Sequence, residues 1–222
     1  MRQGRVAKNP PKPTGFVPQY KSELEGKSNR VLREFNHASA APKDLKYVPW
    51  HEINAIKISE SGSTKVLFIE TEGGSVVLKI TGEMGLDYFM NLLGKCIGVP
   101  IPSMRVLRYD EKEFSDMVRL IRETAYTDEV LIHRVYPKFN VAFIEIMDYV
   151  PSLSLPYLGT KRVGKAFSVN DDASKERLHR LGITLAFDVF INNGDRYPLP
   201  MWRNEGNVEN LLLGFEVTPN VT

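Results

Sequence analysis

Residues 53–80 read Ile53-Asn-Ala-Ile-Lys-Ile-Ser-Glu-Ser-Gly-Ser-Thr-Lys65-Val-Leu-Phe-Ile-Glu-Thr-Glu-Gly-Gly74-Ser-Val-Val-Leu-Lys79-Ile80, three β-rich segments separated by two clusters of turn residues. Apolar side chains recur at every second position, as in Val66 and Phe68 and in Val76, Leu78 and Ile80, which places one face of each segment on a core. The expected elements are strands over 53–59, 65–71 and 75–80, joined by turns at Ser61-Gly62-Ser63 and Glu72-Gly73-Gly74. Alternation sends Lys79 to the face opposite Leu78 and Ile80. Small residues at Ser61, Gly62 and Ser63 leave backbone N–H groups able to face phosphate oxygens.

Downstream the period changes. Leu86, Phe89, Met90, Leu93 and Ile97 recur at threes and fours, which predicts a helix over 83–97 with those residues on the core; Gly98, Pro100 and Pro102 end it. Asp87 and Glu83 stand four apart on that helix, and either can turn back toward Lys79. Met104–Tyr109 reads as a strand, Glu111–Arg122 as a helix and Val141–Met147 as a buried strand. Asp171, Asp172 and Ser174 cap a long helix reaching Ile191, its apolar residues including Leu178, Leu181, Ile183, Leu185, Phe187 and Val189. The order predicts an α+β fold, with a boundary near Val150–Leu158 between a sheet-rich part and a helical one.

The wider composition sets limits. The chain has 222 residues, 42% of them hydrophobic and 25% charged, with a formal net charge of +2. That balance fits a folded protein and disfavours nucleic acid as a partner, which needs a concentrated basic surface. No apolar run approaches the ~20 residues of a membrane helix, so no membrane partner is expected. A single cysteine, Cys96, excludes an intrachain disulfide and suits the cytoplasm. Residues 1–21 hold five basic side chains, four prolines and no acid, the pattern of an extended arm rather than a helix. Four scattered histidines without cysteine partners give no zinc pattern.

After the long helix comes Asn192-Asn193-Gly194-Asp195-Arg196, and then Gly206-Asn207-Val208-Glu209-Asn210-Leu211-Leu212-Leu213. An Asp in a polar loop, followed after an insertion by an Asn and an apolar strand, suits phosphoryl transfer: the Asp serves the acceptor hydroxyl and the Asn oxygen a hard cation.

These segments resemble protein kinases. Ile146-Met147-Asp148-Tyr149-Val150-Pro151 is similar to a kinase hinge. The resemblance gives Met147 the gatekeeper position and has Asp148, Tyr149 and Val150 line the adenine. Gly194-Asp195-Arg196 resembles a catalytic loop that departs from the common His-Arg-Asp form. Leu93-Gly-Lys-Cys-Ile-Gly-Val-Pro-Ile-Pro102 and the insertion between Asp195 and Asn210 resemble the actin-fragmin kinases, over roughly Trp50 to Leu213. That resemblance implies a two-lobed protein-kinase-like α+β fold: an antiparallel N-lobe sheet with one helix, then a partial helical C-lobe. The divisions are 1–49 for the arm and lead-in, 50–150 for the N-lobe with its hinge, and 151–222 for the catalytic-loop region.

It further implies ATP and Mg²⁺ as cofactors and actin, or an actin-fragmin-like complex, as protein substrate, phosphorylated on Thr or Ser. Lys79 holds the α and β phosphates, Asp87 or Glu83 orients it, Asp195 is the catalytic base and Asn210 a metal ligand. Kinases carry a second metal-binding Asp about a dozen residues after the metal Asn. Residues 211–222 contain none, so this chain is either a fragment or a non-catalytic pseudokinase or actin-binding module. A lipid or small-molecule kinase is the further alternative, since a Gly-Asp-Arg loop also serves lipid kinases.

Overall fold

A computed structural model describes residues 35, 44–59, 66–125, 133, 136–168, 171–203 and 205–214. The chain divides into Met1–Val31 and Leu32–Thr222, and all described residues belong to the second unit. The proline-rich arm and the turn at Ser61, Gly62 and Ser63 lie outside the described residues.

Three strands form the expected meander: β1 (Ile53–Ile58), β2 (Val66–Thr71) and β3 (Gly74–Lys79). Gly74, at φ +127°, makes the β2–β3 turn possible in a region L side chains avoid, and Thr71 donates its hydroxyl to the Gly74 carbonyl at 2.9 Å. With β4 (Met104–Arg108) and β5 (Phe143–Asp148) these strands build one antiparallel sheet in the order β1-β2-β3-β5-β4. A register shift between Ile53 and Ala55 marks a bulge in β1.

One face of the sheet is apolar. Leu67, Ile69, Val76, Leu78, Leu107, Ile144 and Ile146 are buried there, covered by Phe114, Met117 and Ile121 of helix α2 (Lys112–Thr124) and by Trp50. Each such side chain withdrawn from water contributes about 1.5–3 kcal/mol, so this layer is the main source of stability. The Arg105 guanidinium of β4 binds the Glu113 carboxylate, which also accepts from Trp50 Nε1 at 2.9 Å; this fixes α2 across the sheet.

The opposite face is mixed. Ala55, Phe68, Val77 and Tyr149 form a second cluster with Phe35, and Lys79 shares this side of the sheet. Helix α1 (Met84–Cys96) closes over it, but not with the residues its apolar period predicts. Leu86, Phe89 and Ile97 are exposed, whereas Asn91 and Gly94 are buried. The inward stripe is Asp87, Asn91 and Gly94, at spacings of four and three. Two features set this inward stripe: Asp87 pairs with Lys79, and Gly94 leaves room for Ile101 and the Phe187 ring. A Cβ at Gly94 would stand 2.7 Å from Ile101 and 3.3 Å from the Phe187 ring.

Beyond β5 the segment read as a boundary forms β6 (Ser152–Ser154) and a 3-10 turn, and helix α3 (Gly159–Ala166) follows it. Helix α4 (Asp172–Phe190) starts at the expected cap: Asp171 Oδ1 accepts from Ser174 N at 2.8 Å. Its buried residues are Ser174, Thr184, Phe187 and Asp188, while the apolar Leu178 and Val189 are each 40% exposed. The last strand, β7 (Leu212–Gly214), pairs antiparallel with β6. The whole is an α+β, kinase-like arrangement: a five-stranded antiparallel sheet and four helices among the described residues. None of those helices is long and apolar enough to cross a membrane.

Candidate active site

Lys79 ends β3, and its neighbours in register explain where its charge goes. Val66 of β2 stands opposite on one side and Glu145 of β5 on the other. Its Nζ donates to Asp87 Oδ2 at 2.5 Å, so α1 supplies the acid from its first turn. Glu83 instead sits at the N-terminal boundary of α1, where its carbonyl accepts from the amides of Leu86 and Asp87. Of the two acids read as partners, Asp87 is the one that meets the lysine. Both members of the pair are partly exposed, at 26% and 29%, which leaves the ammonium accessible to a ligand.

Sequence reading missed Glu145. It lies inside an apolar run, has no exposure, and places Oε2 3.8 Å from Lys79 Nζ. Burial pushes its carboxyl up to about 7; the Lys79 charge opposes that rise and Asp87 adds to it. An acid at the centre of Phe-Ile-Glu-Ile-Met, on the alternate phase from its isoleucines, was the available signal.

The residues read as a hinge differ in their surroundings. Met147 stands opposite Val77 and Met104 in the sheet. Asp148 bonds to Ser103 twice, its amide donating to the Ser103 carbonyl at 2.9 Å and its Oδ2 accepting from Ser103 N at 3.1 Å. Tyr149 is buried against Phe35 and Phe68, with ring centroids 5.7 and 6.2 Å away, and burial raises its hydroxyl to about 12. Val150 is partly buried where the chain turns into β6.

The polar loop after α4 is organised from below by Asp188, another acid that sequence reading passed over. Asp188 is fully buried, and its Oδ1 accepts from Asn193 Nδ2 at 2.9 Å and from the Arg196 guanidinium. Asn193 in turn offers its side-chain oxygen to the Asp195 amide at 3.2 Å. Arg196 is thus a strut, and Asp195 is left exposed at the top of the loop.

Asn210 comes back to this point after the insertion. Its side-chain nitrogen donates to Asp195 Oδ2, and the Asn207 amide donates to the Asp195 carbonyl. Gly206, at φ +65°, passes so close to the preceding segment that a Cβ would lie 2.6 Å from Tyr197 C and Pro198 N. With the Asn210 amide nitrogen spent on Asp195, its oxygen is the atom left for a cation, beside the Asp195 carboxylate. Both donors are hard oxygens, the kind Mg²⁺ accepts.

Two connections relate these parts. β6 closely follows the 147–150 segment and β7 closely follows Asn210, so their pairing, Ser152 opposite Gly214 and Ser154 opposite Leu212, brings that segment and the Asp195–Asn210 contact to one region. The Gly94–Phe187 approach joins α1, which carries Asp87, to α4, which carries Asp188.

Comparison with known proteins gives the chain's family. The family model described as actin-fragmin kinase, catalytic, matches residues 27–221. A Dictyostelium discoideum protein named as an actin-fragmin kinase is 27% identical over 185 residues, 80% of this chain and 42% of the relative. Two others of that organism carrying the same kind of name are 26% identical over 53% of this chain and 23% identical over 62%, covering 21% and 31% of their own lengths. The chain thus spans less than half the length of these curated relatives. On the family match, the chain belongs to the actin-fragmin kinase catalytic-domain family.

Proposed function

We propose that this chain forms the nucleotide site and catalytic loop of a cytoplasmic protein kinase that transfers the γ-phosphoryl of ATP to a Thr or Ser hydroxyl, on actin or an actin-fragmin complex. The observation that supports it most is the meeting of Asp195 with Asn210 at the chain position where β6–β7 pairing returns to the hinge. In this reading residues 50–150 are the N-lobe and hinge, and 151–222 belong to the second lobe. Ser61, Gly62 and Ser63 cover the phosphates, Lys79 holds them, and Asp87 orients the lysine. Met147, Asp148, Tyr149 and Val150 form the hinge segment; Tyr149, its ring packed against Phe35, serves as the rigid backing of that wall.

Asp195 orients the acceptor hydroxyl and takes its proton as the new O–P bond forms. Asn210 would hold Mg²⁺, and the ion would supply neutralisation of the phosphate charge. Arg196, committed to Asp188, keeps Asp195 aimed outward and does not itself touch substrate.

The test is radiolabelled phosphate transfer from ATP to actin by the protein containing this chain, beside its Asp195→Asn variant, with ATP binding followed calorimetrically. Transfer is expected to fall by about two to four orders of magnitude in the variant while ATP affinity holds within about threefold. Undiminished transfer by the variant would mean a different base. ATP binding without transfer in the wild type would favour the non-catalytic reading.

A further inference from the structure

β5 carries one polar residue that neither the hinge nor the catalytic loop uses. Ile144 and Ile146 enter the core, and Glu145 between them turns to the side of the sheet that bears Lys79. Its cross-strand neighbours are Lys79 in β3 and Val106 in β4. Glu145 has no exposure, and neither of its carboxyl oxygens has a hydrogen-bond partner among the described residues. The nearest cation, Lys79 Nζ, stands 3.8 Å away, in ion-pair range but beyond a hydrogen bond, while the same Nζ donates to Asp87.

One lysine therefore stands between two acids. A carboxylate shut away from water without a donor is costly in its ionised form, and a second negative charge nearby makes it costlier. Asp87 accepts a hydrogen bond from Lys79 and is 29% exposed, whereas Glu145 is fully buried without a donor among the described residues, so burial favours the protonated form of Glu145.

We propose that Glu145 is a positioning residue for Lys79: protonated, it leaves the lysine's charge to Asp87 and the nucleotide phosphates, and ionised, it draws that charge back and weakens nucleotide binding. The proposal rests on the reading of Lys79 as the phosphate-holding lysine. The charged groups acting on Glu145 are Lys79 from β3 and Asp87 from α1, and burial holds its titration at about 7, inside the range where a cell's pH acts. Loss of that proton adds a negative charge beside the site that receives phosphates. Affinity for a polyphosphate thus falls as pH rises through this range. A coupling of about one pKa unit between Glu145 and the bound phosphates corresponds to about tenfold in affinity.

The experiment is calorimetric titration of the 222-residue chain with Mg·ATP from about pH 6 to about pH 8.5, wild type against Glu145→Gln, which keeps the shape and removes the titration. Ionisation of the nucleotide is common to both proteins and cancels in the ratio of their dissociation constants. That ratio is expected near one at the acid end and about tenfold in favour of the Gln variant at the alkaline end. A ratio constant with pH, binding being intact, would overturn the proposal and leave the kinase reading standing.

Asp87→Asn gives an independent arm that needs no change at the buried site. Removing the acid that helps hold the proton on Glu145 is expected to shift the inflection toward lower pH, and an unmoved inflection would also overturn the proposal. Should wild type bind no nucleotide at any pH, the reading of Lys79 fails first and the proposal with it.

Discussion

Asp188→Asn isolates the strut beneath the Asp195 loop. The wild-type carboxylate is fully buried, accepts from Asn193 and pairs with Arg196, whose side chain is 23% exposed. Removing one partner of a fully buried pair costs about 3–5 kcal/mol, mostly through the charge left behind. Arg196 keeps some contact with water, so about 2–3 kcal/mol is the appropriate range here. In a chain of this size each kcal/mol lowers the Tm by about 2–4 °C, giving an expected fall of about 4–12 °C. Arg196→Met should cost more, because it strands a buried carboxylate with the Asn193 amide as its remaining side-chain donor. The double variant should recover part of that loss, a coupling of about 1–3 kcal/mol. Differential scanning calorimetry of the four proteins makes the comparison. An Asp188→Asn variant that melts with the wild type, or additive effects in the double variant, would refute the assignment of Asp188 and Arg196 as a strut.

The remaining predictions concern the two ends of the site. Lys79→Met keeps the apolar stem and loses a charge-assisted contact worth about 1.5–3 kcal/mol, so calorimetry should show ATP affinity reduced about 10–100-fold, while the partly exposed Asp87 is re-solvated and the fold survives. Gly206→Ala must place a methyl against backbone atoms at positive φ; a loss of about 2 kcal/mol or more is expected in chemical denaturation, and a neutral effect would show that this turn yields.

The sheet was legible because its signals are redundant. In β2 and β3 the period of two, the turn at Gly73-Gly74 and the β-branched content agree on two strands. β2 starts one residue later than expected, β3 lies one residue earlier at both ends, and the main-core face of β2 is Leu67 and Ile69 rather than Val66 and Phe68. Helices α1 and α4 were legible as helices, but their faces were not. Apolar spacing assigns a face on the assumption that a helix buries its greasy side, and here the inward positions are occupied by Asp87, Asn91 and Gly94 in one helix and by Thr184 and Asp188, beside Phe187, in the other. The segment 152–158 lacked any period long enough to read. β6 is a three-residue strand whose pairing partner lies some sixty positions on, and that pairing is a tertiary fact.

The same reasoning explains why Glu145 and Asp188 escaped notice while Lys79, Asp195 and Asn210 did not. The latter stand at element ends or in polar loops, where a charged side chain invites a chemical question. The former lie inside Phe-Ile-Glu-Ile-Met and Phe-Asp-Val-Phe, where a run of apolar neighbours reads as core and the acid as an interruption. Yet an acid with no exposure persists only if something nearby compensates its burial. For Asp188 the compensation is visible as Arg196 and Asn193. For Glu145 it is incomplete, with Lys79 beyond hydrogen-bond distance and already held by Asp87. An acid embedded in an apolar strand or helix is therefore a sharper pointer to a working site than its neighbours suggest, since stability alone favours an apolar residue there. In this chain both such acids lie next to the residues read as chemical, one behind the lysine and one beneath the base.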